Sequence, residues 1–402
     1  MDDLRTLHRT LDLCLKVGEV LLSSGAGAPD VVATMRALAR ALGVRHTQVD
    51  VTFTSLAMSV QQGLDEPPVV QLRSVTQREI DYEDLTGVDH LVRDVVAGRV
   101  DLEGARTELA RIVSSGHARP RWAATVGWGL MCAGVGLQLG GNLVVVVMAM
   151  LAAVCIDRLQ LVMTRRRLPF FYQQVAGGVV ATVLAALGTR LAEPWVHLNA
   201  SLVVTANIIM LLAGIGFMGA IQDALSGFFV TGGARILEAV LATAGIIAGV
   251  SGGLSLCAAV GLDIPGLTLP RFDLAGVSAV GVGGAIAAAA FAFASYAPLR
   301  TLLPVGILGG AALVVTQVVV EAGFGRTWAV GLAAFLIGLF GYAVGRTFRV
   351  PPLVVVVSAV VPLLPGLSIY RGLFLLGEHD GQQAAAGLLA MVTAASIAMI
   401  TS

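Results

Sequence analysis

Residues 352–373 read PLVVVVSAVVPLLPGLSIYRGL. The run is apolar and long enough to cross a bilayer, whose hydrocarbon core of about 30 Å takes around 20 helical residues. Yet Pro362, Pro365 and Gly366 stand in its middle. At 1.5 Å per residue, Pro362 lies about 15 Å along a helix that starts at Pro352, which is the depth of the midplane. Proline removes a backbone donor and its ring clashes one turn back. Lipid offers the freed carbonyls no partner, so such a break must face protein or a wet cavity.

A broken helix presents a positive half-helix start and a negative half-helix end. A zwitterionic amino acid needs both, donors for its carboxylate and acceptors for its ammonium. A packing kink and a binding site are both open readings of the stretch. Ser368, Tyr370 and Arg371, one or two turns beyond the break, favour the site. Pro362, Pro365, Gly366, Ser368, Tyr370 and Arg371 are therefore candidate binding residues.

Working outward, the 402 residues are 56% apolar and only 13% charged, with a mean hydropathy of +0.84. Globular domains average about 25% charged residues, so the composition is that of a membrane protein. Net charge is zero, which argues against a nucleic-acid partner. Residues 1–119 hold 17 of the 26 acidic and 13 of the 26 basic groups. A soluble domain thus precedes a membrane domain, with the boundary near Arg119-Pro120-Arg121. The four cysteines form no CxxC or Cys/His cluster, so no metal, disulfide framework or cofactor is expected. MDDLRTLHRTLD lacks a basic region followed by an apolar core, so no cleaved signal peptide is read there.

In residues 1–119, Leu4, Leu7, Leu11, Cys14, Leu15, Gly18 and Leu22 share one helical face, ended by Gly25. A second helix opens near Pro29 and is stopped by Gly43. QVDVTFT (48–54) alternates as a strand, and VVQLRSV (69–75) reads as another. Two helices follow, the second opened by Asp101. The pattern predicts an ααββαα domain. His8, His46, His90 and His117 lack metal-ligand spacing and nothing forms a triad, so no enzyme is expected.

Beyond residue 119, ten apolar segments are candidate spans, near 122–139, 142–156, 170–188, 198–221, 233–256, 274–296, 303–321, 327–345, 352–371 and 383–401. With the N-terminus inside, cytoplasmic segments hold ten arginines and outside loops four, Arg190, Arg271, Arg326 and Arg371. Both termini are expected in the cytoplasm. Two halves of five would insert with opposite topology, as in many secondary transporters. Gly214 follows Ala200 at the same interval as Gly366 follows Pro352. The predicted fold is an all-α polytopic membrane protein of about ten transmembrane helices in two five-helix inverted repeats, with a small α+β cytoplasmic N-terminal domain. The divisions are 1–119, 120–257 and 272–402.

Asp223 and Arg235 flank the loop after the fourth segment, and an ionisable residue inside a span is a functional candidate. Asp223 could carry a coupling proton or meet an ammonium group. The alternative is an Asp223–Arg235 pair that orients the loop. Asn207, Thr205, Ser201 and Gln317 add polar groups within spans, each readable as an interhelical hydrogen bond. Gly214-Ile-Gly216-Phe-Met-Gly219 spells GxGxxG without a preceding strand, and Gly249-Val-Ser251-Gly252-Gly253 spells GxSxG without an elbow. Both read as packing glycines, as do the pairs Gly245/Gly249, Gly306/Gly310 and Gly341/Gly345.

GEVLLSSGAGAPDVVATMRALARALGV, VDVTFTSLAMSV and VDHLVRDVVAGRVDLEGARTELARI resemble the cytoplasmic domain of the threonine/serine exporter family. QDALSGFFVTGGARILEA resembles its segment closing the first five-span half, and VVPLLPGLSIYRGL its second five-span module. The resemblance covers nearly the whole chain, with both modules fused. It implies a bacterial plasma-membrane exporter of threonine and serine driven by the proton gradient, whose partners are a small amino acid, protons and the bilayer. A homo-oligomer stays open. The chain departs from the family where Ala213-Gly214 replaces Pro-Gly. A dicarboxylate exporter of the same fold, and a membrane-anchored enzyme or sensor built on residues 1–119, are the alternatives.

Overall fold

The computed structural model describes residues 2–61, 67–75, 80–192, 198–211, 214–262 and 274–364. Two compact units emerge. One comprises 1–118 together with 216–237, the other 119–215 together with 238–402.

The first unit opens with α1 (Asp2–Ser23) and α2 (Ala28–Ala41). Leu7, Leu11, Cys14, Leu15 and Leu22 are buried as their spacing predicts, while Leu4 is exposed. Gly25 and Gly43, both at positive φ, follow the two helices. α1 meets α2 and the sheet at Gly18, where a Cβ would sit 2.5 Å from Met35 Sδ and 3.2 Å from Leu56 Cδ1.

The sheet has three strands, not two. β1 (Thr47–Val51), β2 (Ser55–Val60) and β3 (Val69–Ser74) pair antiparallel in the order β1-β2-β3. The predicted strand 48–54 runs through what is a turn. Thr52 closes it, its N–H donating to Ser55 O at 2.9 Å and its Oγ1 accepting from Ser55 N at 3.2 Å. β2 then alternates, with Leu56, Met58 and Val60 buried.

α3 (Tyr82–Val96) and α4 (Leu102–Ser114) complete the unit. Asp101 caps α4 through Gly104 N at 2.9 Å, as its position predicts. Asp81 caps α3 through Glu83 N and Asp84 N and also bonds His117. Burial, then the charges of Asp81 and, after His117 pulling the other way, Glu83, push the Asp84 carboxyl up to about 6. A carboxyl raised above its unfolded value costs stability once ionised. The unit should therefore lose stability as pH climbs from about 4 through about 6. Asp84→Asn is expected to flatten that slope and raise the melting temperature at neutral pH, read in thermal melts across a pH series.

The second unit is helical. α5 (Arg121–Gln138), α6 (Leu143–Arg165), α7 (Phe170–Ala192) and α8 (Ala200–Leu211) come first. α9 (Gly214–Leu225) and α10 (Phe229–Ala259) follow, with residues 216–237 counted in the first unit. α11 (Leu274–Ala294), α12 (Leu302–Glu321), α13 (Arg326–Phe348) and α14 (Pro352–Val360) follow in turn.

Among the described residues, six helices are long and apolar enough to cross a membrane: 143–165, 170–192, 229–259, 276–294, 299–321 and 326–348. Two shorter apolar helices span 200–211 and 352–363. The predicted count of ten is thus not reached among the described residues. The segment 198–221 contains α8 and most of α9, with 212–213 outside the described residues, and 383–401 lies outside them too.

The paired glycines are packing contacts. Gly249 meets the Val175 carbonyl and Gly245 the Phe171 carbonyl, joining α10 to α7. Gly306 and Gly310 face Ala285 and Gly281 across α12 and α11, and Gly341 and Gly345 face Val356 and Pro352. At the α5–α11 crossing, Gly134 and Gly283 touch backbone to backbone.

Candidate functional site

Among the described residues of the second unit, three buried polar side chains tie one helix to another. The first lies where the sequence predicts a helix break. α14 ends at Val360 and tightens into a 3₁₀ turn over Val361–Leu363, and Leu364 turns extended with ψ 137°. Pro362 has no backbone N–H to donate, and its carbonyl lies within the closing turn. That carbonyl is met from α5, where Gln138 Nε2 donates to Pro362 O at 3.0 Å. Around it Val280, Ala312, Leu313, Ala333, Ile337, Ala359 and Leu363 form an apolar cluster. The break faces protein, as an interrupted helix in lipid must. Gln138 is 9% exposed, and its Oε1 has no hydrogen-bond partner among the described residues. Gln138 closes α5, and the carbonyl it meets lies two residues past the end of α14; both helix ends are electronegative.

The second centre is Asn207, fully buried on α8. Its Nδ2 donates to Val203 O at 2.9 Å and reaches Ala149 O of α6 at 3.4 Å. Its Oδ1 lacks a partner among the described residues. Thr205 and Ser201 bond locally, to Ser201 O and Asn199 Oδ1, and Gln317 bonds Glu321 one turn along its own helix. Of the four polar residues singled out in the spans, only Asn207 ties two helices.

The third centre joins α5 to α6. Asp157 accepts from Arg121 Nη2 at 2.7 Å, Arg121 Nη1 at 3.3 Å and Thr125 Oγ1 at 2.7 Å. The sequence reading ended the second span at residue 156 and so passed over Asp157, which lies inside α6. The available signal was that it is the sole acidic residue in the 23-residue apolar helix 143–165. Gln138 left no such signal, since a lone glutamine at a helix end is unremarkable until the chain folds.

Asp223 and Arg235 belong to the first unit. Asp223 Oδ1 accepts from Ala28 N at 2.7 Å, at the start of α2, and Oδ2 lies 3.3 Å from Arg235 Nε. Arg235 Nη2 donates to Ala26 O at 3.0 Å, and Thr231 Oγ1 to Val51 O at 3.0 Å. All three side chains are buried. Gly219, in the GxGxxG string, leaves the room that Arg235 fills. The pair clasps backbone of the first unit at Ala26 and Ala28. Gly214 is the first residue of α9. Pro365, Gly366, Ser368, Tyr370 and Arg371 lie outside the described residues.

Residues 12–257 match the family model described as "Putative threonine/serine exporter" and residues 281–401 the one described as "Threonine/Serine exporter, ThrE". The chain is 34% identical over 411 residues to a "Probable threonine/serine exporter" of Mycobacterium tuberculosis, covering 99% of this chain and 75% of that one. It is 31% identical over 371 residues to a "Threonine/serine exporter" of Corynebacterium glutamicum, covering 90% and 75%. No solved structure matches.

Proposed function

From the premise that this chain belongs to the threonine/serine exporter family, a family of transporters and not of enzymes, we propose that it carries threonine and serine out of the cell, exchanging them for entering protons. It does so in the plasma membrane, with the 1–119 domain and the C-terminus in the cytoplasm and the spans arranged as two inverted five-helix modules, 120–257 and 272–402.

The cargo sits at the interruption of α14. Acceptors on the closing ends of α5 and α14 meet its ammonium group. Arg371, with Ser368 and Tyr370, serves its carboxylate and hydroxyl, and Pro365 and Gly366 keep the helix open. Asn207 and the Ala213-Gly214 step supply the matching feature of the first module. Asp223 and Arg235 hold the segment after α9 in register. One observation carries the reading, the buried Gln138 amide set against the Pro362 carbonyl. A dicarboxylate cargo wants spare buried cations. The one buried arginine among the described residues, Arg235, is already matched by Asp223.

Purified protein in liposomes loaded with labelled threonine, serine or succinate tests this. Threonine and serine should leave, faster under an imposed pH gradient, while succinate stays. Succinate leaving in their place would refute the assignment. Gln138→Leu strands the Pro362 carbonyl, at a cost of about 1–3 kcal/mol, and should slow threonine efflux about tenfold. An unchanged rate would remove Gln138 from the site.

A further inference from the structure

We propose that Asp157 is the proton-coupling group of this transporter and that Arg121 is the gate that decides when it binds a proton. The inference rests on the exporter reading given above.

In the second unit, Asp157 is the only buried side chain among the described residues that carries a carboxylate. An ionisable group at such a position is functional by default. Its groups of contact are few. From α5 it meets Arg121 and Thr125. α7 brings one charged residue, Arg190, at its far end, and α8 brings none. On α6 itself the other charges are Arg158 and Arg165, both exposed.

The pair is lopsided. The Asp157 side chain is 5% exposed and that of Arg121 40% exposed. Arg121 can leave the pair and remain solvated in water or among headgroups. Asp157 has no such alternative, since Ala152, Ala153 and Ile156 about it are buried and apolar. With Arg121 gone only the neutral Thr125 hydroxyl still donates to Asp157, which is too little to hold a buried charge there. When Arg121 turns away, Asp157 takes one proton and becomes a neutral acid, while the guanidinium keeps its charge. When Arg121 returns, that proton is released. The site therefore has two states, paired and ionised or parted and protonated, and proton binding is linked to the separation of α5 from α6.

The packing permits that separation. α5 is locked to α11 by backbone, with a Cβ at Gly134 falling 2.7 Å from both Ala287 N and Gly283 O. Toward α6 the approach is looser, with a Cβ at Gly129 falling 3.1 Å from Met150 Cγ and Val154 Cγ2 and 3.4 Å from Met150 O, and one at Gly136 3.7 Å from Val146 Cα. α5 and α11 thus move together over α6 more readily than apart. α5 carries Arg121 at one end and Gln138 at the other, about 26 Å away at 1.5 Å per residue. A shift that opens the ion pair also shifts Gln138 against Pro362, so one rigid helix couples the proton to the cargo.

The test uses the full chain in liposomes. Threonine movement is measured under an imposed pH gradient and as threonine–threonine exchange at equal pH, with proton uptake followed by an internal pH dye. Asp157→Asn should lower gradient-driven movement at least about tenfold, abolish threonine-dependent proton uptake, and leave measurable exchange. Arg121→Gln/Asp157→Asn, which leaves no unmatched cation, should do the same. Gradient-driven accumulation or proton uptake surviving in Asp157→Asn would overturn the proposal. So would loss of exchange as well as driven movement in both variants, since that marks a purely structural pair. If the unaltered protein moves no threonine or serine, the exporter reading itself fails. If it moves them without regard to the gradient, only the coupling role of Asp157 fails.

Discussion

Gly134→Val should prevent the second unit from assembling. At this crossing α5 and α11 meet through their main chains. A Cβ at Gly134 would fall 2.7 Å from Gly283 O and Ala287 N, and one at Gly283 would fall 2.5 Å from Gln138 N and 2.6 Å from Gly134 O. Extra methyl groups in a packed interior cost about 1–3 kcal/mol when side chains can yield. Here the obstacle is backbone inside two helices, and it can yield only by pushing the helices apart. That would also unseat Gln138 from Pro362. Small residues are what allow helices to approach so closely within a membrane. The expected outcome is a sharp fall in folded yield, with the remaining protein melting well below the parent in detergent. Gly129→Ala, whose Cβ falls 3.1 Å from Met150 Cγ and Val154 Cγ2 and 3.4 Å from the nearest backbone atom, should be tolerated far better. A Gly134→Val protein with the parent's yield and melting temperature would show that the crossing is not close.

Asp223→Ala should produce the largest loss in the first unit. The carboxylate is fully buried, accepts Ala28 N–H at the start of α2 and faces Arg235 at 3.3 Å. Removing it leaves a buried guanidinium without its counter-charge and a helix start without its acceptor. Breaking a buried pair from one side costs about 3–5 kcal/mol. Asp223→Asn keeps an acceptor for Ala28 and loses only the charge, so it should fall between. Hydrogen–deuterium exchange on the intact chain reads the effect locally. The segment around Ala26 to Asp30 should exchange faster in Asp223→Ala than in Asp223→Asn, and faster there than in the parent. Protection equal to the parent's in both variants would mean that the clasp contributes nothing to the unit.

The sequence foretold much of this where one element settles its own fate. The face of α1, the glycines after α1 and α2, the Asp101 cap and the tightening of the chain at Pro362 follow from spacing and from what proline and glycine do to a backbone. The middle strand did not. Val49, Val51 and Phe53 alternate smoothly, and the Thr52 hydroxyl that turns the chain has the same residue type as many that sit quietly in strands. Leu56, Met58 and Val60 carried the alternation of β2 all along, but the expected strand stopped at residue 54 and left them unassigned. The site was legible only in part, for the same reason. The proline break is local and was visible. Its amide partner comes from 224 residues away in the chain, and no periodicity points across that distance. Asp223 and Arg235 were visible as charges, but their partners Ala26 and Ala28 are ordinary alanines offering main-chain groups, which a sequence displays at every position alike.

The clasp at Asp223 also bears on the order in which the ribosome delivers the chain. Residues 1–118 emerge first, yet the unit they form includes 216–237. Until those residues are made, Ala28 N–H and Ala26 C=O lack the partners they hold in the finished protein. At about 5–20 residues per second the wait is roughly ten seconds, during which several hydrophobic segments must enter the bilayer. The nascent domain therefore spends that interval without the partners that residues 216–237 bring to it.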